Sequence, residues 1–342
     1  MERVSQVILR NAARLASGDI LLINPPRDAC FSRLVELGCA VRIFTQDFGD
    51  FKWLQASGAE VEFGTTPRID SAVDHIVFIQ PRERERMLMM LHALSNAMSA
   101  GAQLWLAGEN RTGIKSCAKR LSLYFETVAK TDSARHCALL EACKPRPCEP
   151  FDVAAYEKCW PVSSSAGDLS IISLPGTFAH GSLDKGSKLL LDTAAELKPS
   201  GRVLDFACGN GVIGLSLLSL DPTLEMTLLD TSALALESAR LSLRCNRREA
   251  TLLASDGLSE LNGQFNWIIS NPPFHRGVEN ELDIAHKFFS DAGHFMQKTG
   301  KILLVCNHHL PYPAWLQTYF TRVEIMRADR KYKVIQASGK RR

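Results

Sequence analysis

The feature that most constrains the fold is a regular alternation of short apolar runs and longer helical runs in the second half of the chain. The apolar runs are RVLDFA (202–207), EMTLLD (225–230), ATLLAS (250–255), FNWIIS (265–270) and GKILLVCN (300–307). The helical runs between them are GVIGLSLLSL, SALALESARLSLRCN and ELDIAHKFFSDAGHFMQ. Apolar strands that alternate with helices are typical of a mostly parallel sheet covered on both faces. We therefore predict an α/β domain, closed by an antiparallel hairpin over 322–339.

The first half repeats this order more weakly. Five apolar runs fall in the same sequence: DILLIN (19–24), AVRIFTQD (40–47), AEVEFG (59–64), HIVFIQPR (75–82) and GAQLWLAGEN (101–110). We interpret this as an internal duplication; the alternative is a chance similarity between two α/β domains. The proline-rich stretch CKPRPCEP (143–150) marks the boundary, which gives domains at 1–150 and 151–342. Helices are predicted at FDVAAYEKCW (151–160) and KGSKLLLDTAAEL (185–197).

Composition narrows the class of protein but does not name a partner. Hydrophobic residues make up 46% and charged residues 23%, as in ordinary globular proteins, and a net charge of +3 neither demands nor excludes nucleic acid. No apolar run reaches the ~18 residues of a membrane span, and the N-terminus has no signal-peptide core. The ten cysteines lack zinc-type spacing. We expect a cytoplasmic monomer with reduced thiols and no metal.

The glycine-rich run VLDFACGNGVIG (203–214) is the strongest local signal. It reads as a strand, then a turn with Gly209, Gly211 and Gly214, then the start of a helix. Glycines let such a turn close tightly and approach a ligand. Asp230 ends the next strand, where a carboxylate can accept hydrogen bonds from ribose hydroxyls. These features fit a dinucleotide enzyme as well as an S-adenosylmethionine enzyme.

Two further carboxylates favour S-adenosylmethionine. Asp205, just before the loop, suits a cationic amino-acid end and would repel a pyrophosphate. Asp256 follows the third strand and can accept the adenine amino group. The pattern Asp-x-x-x-Gly-x-Gly resembles that of the class I methyltransferases. With the repeat in the first half, the resemblance implies that this chain has two tandem Rossmann-like domains. The resemblance implies cofactor contacts from Asp205, Ala207, Gly209, Asn210, Gly211, Asp230, Asp256 and Asn271.

The tetrad NPPF (271–274) follows the fourth strand. In the amino-methyltransferases that it resembles, this tetrad holds a planar nitrogen whose lone pair is delocalised. Asn271 and the Pro272 carbonyl would accept its N–H groups, and Phe274 would stack on the base. The tetrad occurs in enzymes that act on adenine N6, guanine N2 and glutamine. The other Asn-Pro-Pro run, LLINPPRD (21–28), occupies a first-strand position and is no counterpart of it.

The order of motifs along the whole chain is more specific than any single one. GENRTGIKS (108–116), LPGTFAHGSLDKGSKLLL (174–191), DFACGNGVIG and SNPPFHRG together resemble the ribosomal small-subunit methyltransferase C family. That family makes N2-methylguanosine in 16S rRNA during ribosome biogenesis. The resemblance implies a degenerate first domain without a cofactor site, a substrate of 16S rRNA, small subunits or assembly intermediates, and a secondary cofactor contact from Phe178.

Several alternatives stay open at this point. The substrate can be large-subunit rRNA guanine N2, adenine N6 or a protein glutamine. A non-enzyme alternative is an RNA chaperone that binds the cofactor without turnover, and a third is a dinucleotide oxidoreductase. Two basic groups are candidates for RNA binding, although such groups are more often solvated faces. They comprise Arg111, Lys115, Lys119 and Arg120 in the first half and Arg330, Lys331 and Lys333 near the C-terminus.

Overall fold

The chain folds as two compact units, Met1–Glu157 and Lys158–Arg342. The computed structural model describes residues 1–16, 18–69, 73–164, 167–272 and 280–341. The helices are α1 (Arg3–Arg10), α2 (Ala12–Leu15), α3 (Cys30–Glu36), α4 (Phe48–Ala56), α5 (Arg84–Ala97), α6 (Cys117–Leu121), α7 (Lys185–Leu197), α8 (Val212–Leu220), α9 (Ala233–Cys245), α10 (Asn280–Ala292) and α11 (Tyr312–Tyr319). The strands of the first unit are β1 (Asp19–Ile23), β2 (Ala40–Thr45), β3 (Val61–Phe63), β4 (His75–Ile79), β5 (Gln103–Glu109), β6 (Phe125–Ala134) and β7 (Cys137–Pro145). Those of the second are β8 (Lys158–Ser164), β9 (Gly167–Ser173), β10 (Arg202–Phe206), β11 (Glu225–Asp230), β12 (Thr251–Ala254), β13 (Phe265–Ser270), β14 (Met296–Asn307), β15 (Phe320–Ala328) and β16 (Tyr332–Lys340).

The two units share one sheet topology. The first sheet has the order β3-β2-β1-β4-β5-β7-β6 and the second the order β12-β11-β10-β13-β14-β16-β15. In each, five strands are parallel, and the last two pair antiparallel. The predicted fold of two α/β domains with a C-terminal antiparallel hairpin is confirmed. A matching hairpin, β6–β7, also closes the first sheet, where the sequence analysis had assigned no strands.

The second sheet is covered on both faces because its central strands carry apolar side chains on both of their faces. Consecutive residues point to opposite faces of a strand. Val203 and Ile269 accordingly belong to one buried cluster, with residues of α7, α8 and α9. Leu204 and Ile268 belong to another, with residues of α10 and α11. This packing leaves the carboxyl ends of β10, β11 and β13 as the edge at which polar side chains can gather.

The predicted helix over 151–160 is wrong. Only a short 3₁₀ turn forms at Val153–Tyr156, and the chain continues as β8, which pairs with β9 in a separate two-stranded sheet. The reason is tertiary: Trp160 is buried in the core of the second unit from a strand, opposite Ile171, and such burial outweighs local helix propensity. The helix predicted at 185–197 is confirmed as α7. Among the described residues, no helix is long and apolar enough to cross a membrane.

Candidate active site

The glycine-rich turn joins β10 to α8 and is built on left-handed backbone. Ala207, Gly209 and Gly211 have φ values of 58°, 56° and 76°, and Gly211 is the N-cap of α8. A Cβ atom added at Gly214 would overlap the side chain of Leu228 on β11. The glycines therefore let the turn close and bring α8 down onto the sheet.

Asp205 is fully buried at the end of β10. Its Oδ2 accepts the Gly214 N–H at 2.9 Å, one of the N–H groups that the first turn of α8 leaves without a helical partner. Its Oδ1 and the Asn210 Nδ2 are buried and have no hydrogen-bond partner within the described parts of the chain. Burial, with a smaller contribution from Asp230, raises the Asp205 pKa to about 7. An unsatisfied buried carboxylate is costly, so this position suits a cationic ligand group.

Of the other predicted carboxylates, Asp230 is the last residue of β11 and Asp256 lies just beyond β12. Asp230 accepts the N–H of Gly209 at 2.9 Å through Oδ2 and that of Ser232 at 2.9 Å through Oδ1. It therefore fixes the glycine turn. Asp256 is exposed, two residues beyond β12, and the preceding Ser255 is buried with its N–H bonded to the Asp230 carbonyl. The turn after β12 is thus tied to the end of β11.

Asn271 is the first residue after β13. The hydroxyl of Ser270 donates to the Phe206 carbonyl at 2.7 Å, which ties the end of β13 to the end of β10. The Asn271 amide nitrogen donates to Ser187 Oγ at 2.9 Å and to Asp184 Oδ2 at 3.3 Å. No hydrogen bond to the Asn271 Oδ1 is found among the described residues. The site therefore holds an oriented amide whose oxygen can accept from a substrate.

The remaining predicted residues of this site are Pro272, Phe274 and Phe178. Pro272 is buried beside Asn271, whereas Phe274 lies outside the described residues. Phe178 lies in the loop between β9 and α7 and is 56% exposed. The preceding Thr177 donates to the Leu234 carbonyl at 3.3 Å, which holds this loop against α9. Phe178 is thus placed beside the element that follows Asp230.

Comparison with known proteins identifies the chain. The family model "Methyltransferase small domain" matches residues 168–336, and "Methyltransferase small domain N-terminal" matches residues 5–159. Proteins named ribosomal RNA small subunit methyltransferase C are 34% identical to it in Shewanella loihica, over 96% of this chain and 97% of theirs, and in Aeromonas hydrophila, over 97% and 96%. The chain belongs to the ribosomal RNA small subunit methyltransferase C family.

A solved structure from this methyltransferase C family agrees in fold. It is the 16S rRNA N2 guanosine-1207 methyltransferase of T. thermophilus, in complex with AdoMet and guanosine. It aligns with a TM-score of 0.87 over 99% of this chain and 92% of its own, at 23% identity. The agreement extends over both units, so the duplicated architecture is shared with that enzyme.

In this family member the first unit carries different residues from the second at two corresponding strand ends. Leu22 occupies the penultimate position of β1, where β10 carries Asp205. Gln80 follows β4 as Asn271 follows β13, but its amide is used within the unit. Its Nε2 donates to the Thr112 carbonyl at 2.8 Å, and its Oε1 accepts from the Thr112 hydroxyl at 3.1 Å.

The equivalent crevice of the first unit is occupied by its own side chains. Arg86 donates to the Gln46 Oε1 at 2.8 Å, and Gln46 is only 1% exposed. Gln46 also donates to the Thr65 carbonyl at 2.7 Å, and its own N–H is accepted by Asn24 at 2.9 Å. A network of amides and a guanidinium thus spans the ends of β1 and β2.

The C-terminal basic residues are not equally accessible. Arg330 and Lys331 are exposed in the turn between β15 and β16, and the Lys331 ammonium lies 5.0 Å from the centre of the Tyr332 ring. Lys333 is only 7% exposed, on the strand that pairs it with Cys306. A lysine buried in this way has little surface that a phosphate could contact.

The basic residues of the first unit are mostly exposed. Lys115 and Lys119 lie on the surface of the segment that follows β5. Arg111 is bound to Glu109 in an ion pair, and Arg120 donates to the Cys117 sulfur at 3.5 Å. Lys115 and Lys119 are therefore the side chains of this group that are best placed to meet an external anion.

Two residues of the site were absent from the sequence predictions. Asp184 and Ser187 lie 87 and 84 residues before Asn271 in the chain. The sequence does indicate that Asp184 caps a helix, because an aspartate directly before a helical run is a typical N-cap. Nothing in the local sequence indicates that the same carboxylate contacts Asn271. Among the described residues, no group of three or more His, Cys, Asp or Glu side chains is arranged to hold a metal ion.

Proposed function

We propose that this protein transfers a methyl group from S-adenosylmethionine to the exocyclic N2 amine of a guanosine in small-subunit rRNA. The observation that carries the proposal is the pairing, at one sheet edge, of a buried carboxylate with an open acceptor, Asp205, and an oriented amide, Asn271. Family membership supports the substrate, and the T. thermophilus enzyme acts on guanosine 1207 of 16S rRNA. The corresponding guanosine is the first candidate in this organism's rRNA.

The residues at the carboxyl edge fit this cofactor. The Asp205 Oδ1 would accept the amino group of its methionine part, and the Asn210 Nδ2 is a buried donor for an oxygen of the same ligand. Asp230 would receive the ribose hydroxyls and Asp256 the adenine amine, with Phe178 covering the ligand. Ala207, Gly209 and Gly211 supply backbone that can approach it closely. When bound, the cofactor supplies a methyl group already activated by the sulfonium.

The chain's own residues would prepare the amine. Guanine N2 is a weak nucleophile because its lone pair is delocalised into the ring. Acceptance of its two N–H groups by Asn271 Oδ1 and the Pro272 carbonyl favours a pyramidal nitrogen with its lone pair directed at the methyl group. Proline at 272 has no N–H that would compete as a donor. The role of Phe274 as a stacking surface for the base remains a prediction from the sequence.

The RNA contacts belong to the same proposal. Arg330, Lys331, Lys115 and Lys119 are exposed cations, and phosphate neutralisation by such groups drives much of the affinity for RNA. Arg111 and Arg120 are weaker candidates because each already has a partner, and Lys333 is set aside because it is buried. A cytoplasmic monomer that acts on small subunits or their assembly intermediates completes the proposal.

A methyl-transfer assay with nucleoside analysis tests the proposal. Purified protein is incubated with radiolabelled S-adenosylmethionine and either small subunits or 16S rRNA from a strain that lacks it. We expect label in N2-methylguanosine, and Asn271→Ala to lower the rate on the order of 100-fold, as does loss of other oriented groups in active sites. The matched control is Asn262→Ala, at an exposed asparagine whose amide donates to the Glu260 carbonyl, and it should retain the wild-type rate.

The other outcomes distinguish the alternatives. Label in N6-methyladenosine, in methylglutamine or in large-subunit rRNA would replace the proposed substrate. Cofactor and RNA binding without transfer to any of these would favour an RNA chaperone. Binding of a nicotinamide dinucleotide in place of S-adenosylmethionine would favour an oxidoreductase.

A further inference from the structure

We infer that Asp184 and Ser187 are positioning residues that fix the orientation of the Asn271 amide for methyl transfer. The inference rests on the proposed function, in which the Asn271 oxygen accepts an N–H of the substrate amine. It extends that function to the start of α7, which is distant from β13 in sequence. The two residues would act only through Asn271, without touching the substrate.

The orientation of the amide follows from the chemistry of its neighbours. An asparagine amide has a donor end and an acceptor end, and a crystallographer often cannot tell them apart. Here the ambiguity is removed because an ionised Asp184 carboxylate can only accept. The end of Asn271 that faces it must be the NH₂ group, 3.3 Å from Asp184 Oδ2 and 2.9 Å from Ser187 Oγ. The oxygen Oδ1 is therefore turned away from α7.

The Asp184 carboxylate is itself held in place by the helix. It is the N-cap of α7, and its Oδ2 accepts the N–H groups of Gly186 at 2.8 Å and Ser187 at 3.1 Å. These bonds leave the carboxylate no freedom to rotate away from Asn271 without losing the cap. A Cβ atom at Gly186 would lie 2.9 Å from Asp184 Oδ2 and 3.2 Å from the Tyr332 ring, so the absence of a side chain there is needed for this approach.

The arrangement has a chemical as well as a geometric effect. Hydrogen bonds donated by the amide NH₂, especially to a carboxylate, polarise the amide and make its oxygen a stronger acceptor. Ser187 is 4% exposed, so the Ser187 half of the contact is shielded from water. Loss of these contacts would let the amide turn over and present its NH₂ group to the substrate amine, which is also a donor.

Substitutions at Ser187 and Asp184 separate positioning from folding. Ser187→Ala removes one acceptor, while alanine is a better helix former than serine. The matched control is Ser216→Ala, another buried helical serine, whose hydroxyl donates to the Val212 carbonyl of its own helix. At position 184, serine and asparagine both cap helices well. Only asparagine is long enough to reach Asn271.

We expect the substitutions at Asp184 and Ser187 to lower kcat without changing the KM for S-adenosylmethionine or the Tm. Ser187→Ala and Asp184→Ser should each lower kcat about tenfold, as the loss of a charge-assisted or buried hydrogen bond does. The KM for S-adenosylmethionine and the Tm should stay close to wild type. Asp184→Asn should recover most of kcat, and Ser216→Ala should retain all of it.

Two results overturn the inference, and neither is confused with failure of the proposed function. The first is wild-type kcat in both Ser187→Ala and Asp184→Ser. The second is a loss of kcat that parallels the loss of Tm in all four variants and that is as large in Asp184→Asn as in Asp184→Ser. Failure of the proposed function is read from the wild-type protein alone, as label in a nucleoside or side chain other than N2-methylguanosine. In that event the ratios of kcat, measured on the amine that is methylated, still decide the role of Asp184 and Ser187.

Discussion

Asp205 combines a charge that the proposed ligand requires with an environment that opposes it. Its pKa rises to about 7 because the carboxyl is desolvated, with repulsion from Asp230 adding to the effect and the Gly214 N–H opposing it. The sequence predicts a carboxylate at this position from its spacing to the glycines. The raised pKa was not predictable, because it depends on packing that encloses the side chain on every side. The burial of Lys333 was not predictable either, because its sequence neighbours indicate only a basic group.

The raised pKa predicts a pH-dependent affinity. The ammonium end of the ligand binds the ionised form of Asp205, so affinity should rise as pH increases through the folded-state pKa and then level off. For S-adenosylhomocysteine, measured by calorimetry, we expect Kd to fall about tenfold between pH 5.5 and 7.5. Asp205→Asn should weaken binding at pH 7.5 and abolish this pH dependence. A wild-type Kd that is constant over the range would contradict the account.

The same shift predicts an effect on stability without ligand. Because the folded-state pKa lies above the unfolded-state value, the folded protein holds the proton more tightly, and stability falls as pH rises from about 4 to 7. Asp205→Asn removes the buried charge. Its free energy of unfolding at pH 8 should exceed that of wild type by on the order of 2–4 kcal/mol, with a much smaller difference at pH 4, measured by urea denaturation.

At the scale of elements, the site is assembled from the ends of β10, β11, β12 and β13 together with the start of α7. The strands and the glycine turn were predicted from apolar runs and turn residues, since both signals are local. The contribution of α7 was not, because the bond from Asn271 to Ser187 joins residues that are far apart in sequence. The helix expected at 151–160 also failed, since burial of Trp160 decides its conformation.

The turn of the β15–β16 hairpin carries exposed charge whose role can be measured. Log affinity for rRNA falls as log salt concentration rises. If Lys331 neutralises a phosphate, Lys331→Glu should make this dependence less steep, reducing the magnitude of the slope by about 0.7–0.9. The control is Lys298→Glu, at an exposed lysine near the other end of β14. It should leave the slope unchanged, as measured by filter binding at several salt concentrations. Equal slopes for both variants would remove the hairpin from the RNA contact.

At the scale of the whole molecule, one topology occurs twice, and we propose that the chemistry is confined to the second copy. The repeat was predictable because the apolar runs of the first half fall in the same order as those of the second. The correspondence of Gln80 to Asn271 is also visible in the sequence, since each lies at the end of the fourth apolar run of its half. The sequence did not show that the Gln80 amide would be consumed by Thr112, or that Arg86 and Gln46 would occupy the equivalent crevice.

This asymmetry predicts the stoichiometry of cofactor binding. The first unit has Leu22 in place of the Asp205 carboxylate, and the polar side chains at its strand ends bond to groups of the same unit. It should therefore bind no S-adenosylmethionine. Calorimetric titration of the full chain with S-adenosylhomocysteine should give one site per chain, and Asp205→Asn should weaken that single site. A second site, retained in the Asp205→Asn variant, would show that the first unit is not degenerate.

The most direct test of the central claim is the modified-nucleoside profile of 16S rRNA in cells. A strain that lacks this protein should lose one N2-methylguanosine from its 16S rRNA, detected by mass spectrometry of mapped RNA fragments. Expression of the wild-type protein should restore it, and expression of the Asn271→Ala variant at the same level should not. A 16S rRNA profile that is unchanged by the deletion, with N2-methylguanosine present in full, would contradict the assignment.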